Sequence, residues 1–156
     1  GRLDHLVIDL PPGTGDEPLS VCQLVPDATG AVIVTTPQEV AIANVRRCVS
    51  FCRELDLPIL GVVENMSGFL CPHCGKRSDI FSSGGGEEMA AQMGVEFLGQ
   101  VPFDPRMVEA ADAGRSFLEE FSESEVARSF ETVVDRLEER IGIERGEDDE
   151  NRSSGG

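Results

Sequence analysis

The order of apolar and amphipathic runs along the chain predicts an α/β fold, a parallel sheet flanked by helices. Two observations carry this. Residues 6–10, 31–36 and 59–64 are short, nearly continuous apolar runs, the pattern of strands buried on both faces of a parallel sheet. Between them lie longer stretches with helical periodicity, which parallel neighbours need as crossovers.

In chain order, Leu6-Val7-Ile8-Asp9-Leu10 reads as the first strand, stopped by Pro11-Pro12-Gly13-Thr14-Gly15-Asp16. A short helix is expected over 17–25 and a second strand over 31–36. After Pro37 an amphipathic helix runs to about Leu55, with Val40, Val45, Val49 and Cys52 among its apolar positions. A third strand covers 59–64. The run Ser82-Ser83-Gly84-Gly85-Gly86 leads into a helix that ends near Gly94, and a shorter strand follows over 96–101. Helices are expected over 105–113 and 122–141. Residues 1–141 form one domain by this reading, and 142–156 a charged, Gly/Ser-rich tail expected to be disordered. The chain opens almost directly on a strand, so it reads as the carboxy-terminal part of something longer.

Composition narrows the function. The 156 residues carry 29 acids against 13 bases, a formal charge of -16. That argues against nucleic acid or an anionic membrane as partner, since phosphate binding depends on clustered Lys and Arg. Lys76 is the only lysine. An acid-rich, lysine-poor surface suits a salt-rich cytoplasm, where self-repulsion is screened; an acidic protein with an acidic tail is the plainer account. Five unevenly spaced cysteines do not make a secreted disulfide framework, and no apolar run approaches the ~20 residues that span a membrane. A reducing cytoplasm is the expected location.

Three segments carry chemistry. Asp9 ends a strand and is followed by Pro11-Pro12-Gly13. A carboxylate there suits a magnesium–phosphate site, with the Gly13 amide facing a terminal phosphate; ordinary turn chemistry explains the same residues. Gly84-Gly85-Gly86 reads as a hinge into its helix, although amides at a helix start can also hold an anion. Cys71-Pro72-His73-Cys74 is half of a tetrahedral metal site, and no second Cys-x-x-Cys exists in the sequence. It is open to three readings: a thioredoxin-like redox pair, a structural zinc knuckle, or a cluster shared across a two-fold axis. Cys48 and Cys52, four apart on the long helix, read as core, as does Cys22.

Taken together, Leu3-Asp4-His5-Leu6-Val7-Ile8-Asp9-Leu10-Pro11-Pro12-Gly13-Thr14-Gly15-Asp16, Thr35-Thr36-Pro37-Gln38, Val62-Val63-Glu64-Asn65-Met66-Ser67 and Cys71-Pro72-His73-Cys74 resemble the Mrp/ApbC iron–sulfur cluster carrier ATPases. These are relatives of MinD and the nitrogenase iron protein among the P-loop NTPases with a deviant Walker A motif. The resemblance spans about residues 1–141. It implies that Asp9 organises magnesium and Gly13 senses the γ-phosphate. Asn65 would read the adenine base, with the Pro102-Phe103-Asp104 loop beside the nucleotide. Cys71 and Cys74 would ligate a labile [4Fe–4S] cluster bridging a homodimer, for delivery to apo iron–sulfur proteins. The family hydrolyses ATP with Mg2+, but its P-loop does not occur in this sequence, so poor ATP binding and negligible turnover are expected of the chain alone. The competing functions are a MinD/ParA-type positioning ATPase and a zinc-bridged structural dimer.

Overall fold

The computed structural model describes residues 3–71, 74–80 and 82–142. The expected tail, Gly142 apart, lies outside the described residues.

Among them, four strands make one sheet. β1 (Ala31–Thr35) pairs in parallel with β2 (Ile59–Leu70), β3 (Arg77–Ser78) pairs antiparallel with the end of β2, and β4 (Phe97–Phe103) lies parallel to β2 on its other side. The helices are α1 (Asp16–Leu24), α2 (Glu39–Glu54), α3 (Gly85–Met93), α4 (Pro105–Asp112), α5 (Phe117–Glu120) and α6 (Glu125–Ile141).

Successive strand residues face opposite sides, and β2 shows the result directly. Val62 packs with Ile33, Val45, Val49, Cys52, Met89 and Ala90, a core formed with α2 and α3. Its neighbour Val63 packs with Leu98, Val101, Ala110, Phe117, Val126 and Val133, a core formed with α4, α5 and α6. Each fully buried aliphatic side chain contributes about 1.5–3 kcal/mol of transfer energy, so both faces of β2 are strongly specified. Arg136 of α6 also donates to the carbonyls of Phe97 and Leu98 at 3.3 and 3.1 Å, fastening that helix across β4.

The elements expected over 17–25, 31–36, 105–113 and after Pro37 appear within two residues of their predicted bounds. Four features differ. Residues 6–10 are not a strand: Leu6 and Val7 are 72% and 90% exposed. An apolar run becomes a strand only when ladder partners take its amides and carbonyls, and no described strand pairs with this one. The last helix begins at Glu125 because Ser124, not Ser122, is its N-cap, accepting from the Ala127 amide at 3.1 Å. The short α5 and the two-residue β3 carry too little periodicity to be visible in sequence.

The fourth difference matters most for the site. β2 continues six residues past Glu64, across a bulge. From Asn65 to Phe69 it advances four positions while β4 advances two, from Val101 to Phe103. Met66 lies in the left-handed region at φ 57°, and the Asn65 side-chain oxygen accepts the Met66 amide at 2.9 Å. Non-glycine residues in that region carry strain of about 1–3 kcal/mol, a feature that concentrates at functional sites.

Candidate functional site

The Cys-x-x-Cys segment is the tip of a hairpin. Phe69 pairs with Ser78 and Leu70 with Arg77. The Cys71 amide donates to the Lys76 carbonyl at 3.0 Å, and the Gly75 amide donates to the Cys71 carbonyl at 2.8 Å. Gly75, at φ 65°, makes the reversal in a conformation that glycine adopts without steric cost. Cys71 is half-buried and Cys74 exposed; Pro72 and His73 lie outside the described residues. A redox Cys-x-x-Cys would sit at the start of a helix following a strand. Here the pair stands between two antiparallel strands, so that reading loses its structural context. Among the described residues no group of three or more His, Cys, Asp or Glu side chains converges to hold a metal ion.

Arg77 secures the base of the hairpin. Its guanidinium donates to the Ser67 carbonyl at 2.9 Å and to the Gln100 side chain at 3.5 Å, and approaches Glu125 of α6 at 3.8 Å. The strands close tightly around it: a Cβ at Gly68 would stand 2.7 Å from the Arg77 Nε.

The glycine run after the hairpin is not a hinge. Glu64, fully buried on β2, accepts the Gly84 amide at 2.8 Å through Oε1 and the Gly86 amide at 2.5 Å through Oε2. The amides at the start of α3 do hold an anion, and the anion is a side chain of the same protein. Glycine is required by close approach, since a Cβ at Gly86 would lie 3.0 Å from the Glu64 Oε2 and 2.9 Å from the Thr35 methyl. Sequence reasoning missed Glu64. A charged residue inside an otherwise apolar strand was the available signal, because a buried carboxylate needs hydrogen-bond donors nearby.

Asn65 is the next residue along β2, half-buried at the carboxyl end of the sheet, where open α/β sheets bind ligands. Pro102 and Phe103 are the last residues of β4 rather than a loop; Pro102 is buried, and the Phe103 ring packs 6.1 Å from that of Phe69. Asp104 is the N-cap of α4. Its buried carboxylate accepts the Arg106 amide at 2.9 Å and the Arg106 guanidinium at 2.5–3.1 Å. The Arg106 hydrogen bonds hold the Asp104 carboxyl below the usual carboxylate range. Arg106 in turn lies 4.6 Å over the Phe121 ring.

Asp9 and Gly13 stand apart from this group. Both are exposed, in residues without helix or strand structure. The adjoining Thr14 shares a surface cavity with Ser50, Glu54 and Met93, near the far ends of α2 and α3 from the strand tips. The structure thus places Glu64, Asn65 and Pro102 on the paired strands β2 and β4, with Cys71 and Asp104 just past the ends of those strands, and leaves Asp9 and Gly13 outside any strand or helix. Cys48 and Cys52 are embedded in α2, and burial pushes both thiols up, with neighbouring cysteines adding to the effect at Cys52.

Comparison with known proteins decides the family. Residues 1–138 match the ParA model described as the NUBPL iron-transfer P-loop NTPase. The chain belongs to that family. Two curated relatives named iron–sulfur cluster carrier protein are similar over most of it. The protein from Methanocaldococcus jannaschii is 46% identical over 141 residues, covering 90% of this chain and 48% of the relative. That from Saccharolobus solfataricus is 51% identical over 137 residues, covering 88% and 46%. Among solved structures, a nucleotide-binding protein from Archaeoglobus fulgidus in complex with ADP aligns at TM-score 0.65 and 44% identity, covering 74% of this chain and 47% of that one. The cell division ATPase MinD of Pyrococcus furiosus aligns at TM-score 0.55 and 21% identity over 72% and 43%, which establishes the shared fold alone. The chain spans about half the length of the curated relatives it matches. No helix among the described residues is long and apolar enough to cross a membrane.

Proposed function

We propose that this member of the NUBPL iron-transfer family carries an iron–sulfur cluster on Cys71 and Cys74 and passes it to apo iron–sulfur proteins. The observation that supports this most is the position of the pair, at the tip of a hairpin with one sulfur-bearing side chain exposed and the other half-buried. A structural site encloses its metal with four ligands. Two thiolates on an exposed tip leave the remaining positions to another molecule. A second copy of the chain supplies them in the resting homodimer, with a [4Fe–4S] cluster as cargo, and thiolates of the recipient displace them in turn. Transfer is then ligand exchange with no net redox change. The work takes place in a reducing cytoplasm, without nucleic acid or membrane as partner.

ATP and Mg2+ belong to the intact family protein. In this reading Asn65, on β2 just past the end of β1, reads the adenine base, and Pro102 packs in the adjoining strand. Asp104 contributes through the helix it caps, since Arg106 occupies both of its oxygens. Asp9 and Gly13 take their switch roles only beside a P-loop, which does not occur in this sequence. ATP turnover by this chain alone is therefore negligible.

Anaerobic reconstitution with iron and sulfide tests the assignment. Cys71→Ala or Cys74→Ala abolishes cluster absorbance and bound iron, while Cys48→Ala and Cys52→Ala retain them. Equal loss from both pairs defeats the proposal, and zinc at one per dimer without iron favours a zinc-bridged structural dimer.

A further inference from the structure

We infer that Glu64 is a positioning residue for the cysteine pair, a buried clasp that closes the neck of the excursion bearing Cys71 and Cys74. The inference rests on the proposed use of that pair as cluster ligands. Its basis is topological. The chain passes the end of its pairing with β1 at Glu64, keeps β4 as a neighbour across the bulge at Met66, runs out through the cysteine hairpin, and rejoins the fold at Gly84, the N-cap of α3. One carboxylate joins the two ends: Glu64 lies on the outgoing strand, and Gly84 and Gly86 lie at the start of the helix to which the chain returns.

The clasp is seated on both sides. Thr35 of β1 is the register partner of Glu64, and its methyl would meet a Cβ at Gly86 at 2.9 Å. A Cβ at Gly85 would meet the Pro37 carbonyl at 2.8 Å. Gly85 and Gly86 are therefore pressed against Pro37, Thr35 of β1 and Glu64 of β2, with no room for a side chain. A carboxylate with 0% exposure and an amide on each oxygen has one geometry available; burying it otherwise would leave donors and charge unpaired. Arg77 holds the same excursion higher up, through the Ser67 carbonyl. With both ends held, the position of the cysteine tip relative to Asn65 is set, since Asn65 adjoins Glu64 in the chain. Loss of the neck contact frees the tip while both cores remain packed.

Glu64→Gln is the direct test, because it keeps size and one acceptor but turns an NH2 toward an amide donor. The readout is binding of phenylarsine oxide, which bridges two sulfurs and needs neither cluster nor dimer. Affinity is compared between native and urea-unfolded chain, and adducts are located by peptide mass. The wild-type Cys71–Cys74 pair binds more tightly native than unfolded. E64Q loses at least fivefold, toward the unfolded value, while Cys52 stays unlabelled by iodoacetamide. In reconstituted protein, a chelator strips iron from E64Q at least threefold faster. Unchanged arsenical affinity overturns the clasp even where a cluster loads normally. Weakened affinity in a protein that never takes iron leaves the clasp standing and removes the carrier reading. Should E64Q expose Cys52, the same measurement passes to Glu64→Asp, which keeps the charge but is one methylene short. Exposure of Cys52 there as well makes Glu64 a fold residue only and overturns the proposal.

Discussion

Arg77 and Ser67 are joined across the base of the cysteine hairpin by a 2.9 Å hydrogen bond from the guanidinium to the main-chain carbonyl. Ser67 lies inside the strained bulge, so this contact ties the returning strand to the irregular stretch of β2 between Asn65 and Phe69. Arg77→Ala removes it together with the exposed approach to Glu125. A hydrogen bond from a charged donor to a partly buried acceptor contributes about 1–2 kcal/mol, and the ion pair adds little at this exposure. We expect a fall in Tm of roughly 4 °C by calorimetry. Arg77→Lys recovers part of it, since lysine brings charge without the fork. An unchanged Tm in Arg77→Ala would show that the bulge holds itself.

Leu98 is fully buried on β4, and Gly61 on β2 lies so close that a Cβ there would stand 2.5 Å from the Leu98 Cγ. Leu98→Ala leaves a cavity lined by strand backbone that cannot collapse. The expected loss is about 3 kcal/mol by denaturant titration, and a loss below about 1 kcal/mol would mean that this core relaxes.

Asp104 makes stability depend on acid. Its folded pKa lies below the unfolded value because Arg106 binds the charged form. The unfolded state therefore takes up the proton first. The stabilisation is present in full above about pH 4 and is lost as pH falls through the lower folded value. Asp104→Asn can still cap α4 but does not bind the guanidinium as an anion. The mutant is less stable at pH 7, and the gap to wild type narrows as pH drops below about 4. A constant gap down to pH 2 would remove Asp104 from the acid response.

The cysteines divide by environment. Burial raises the Cys48 and Cys52 thiols, and the thiolate is the reacting form. In limiting iodoacetamide at neutral pH, Cys74 is labelled first and Cys52 last, by peptide mass mapping. Labelling of Cys52 before Cys74 would contradict the described burial.

At -16 the chain repels itself. Screening lengths fall from about 30 Å at 0.01 M salt to about 3 Å at 1 M, so Tm should climb with sodium chloride over that range. A flat profile would show that the acids are spread too far apart for repulsion to matter.

The sequence by itself determined the alternation of strand and helix, the two apolar faces of the sheet and the isolation of one Cys-x-x-Cys pair, because periodicity and composition are local properties. The helix expected over 105–113 was legible too, though not its cap by Asp104. Tertiary structure decided the rest. Residues 6–10 have the pattern of a buried strand, yet only a ladder partner makes a strand. The extension of β2 depends on β4 and β3 lying beside it, and the bulge at Met66 on the register between them. The role of the glycine run turned on Glu64, 20 residues away along the chain. Nothing local distinguishes a hinge from an anion-binding turn, because the difference lies in whether a buried carboxylate is brought to its amides.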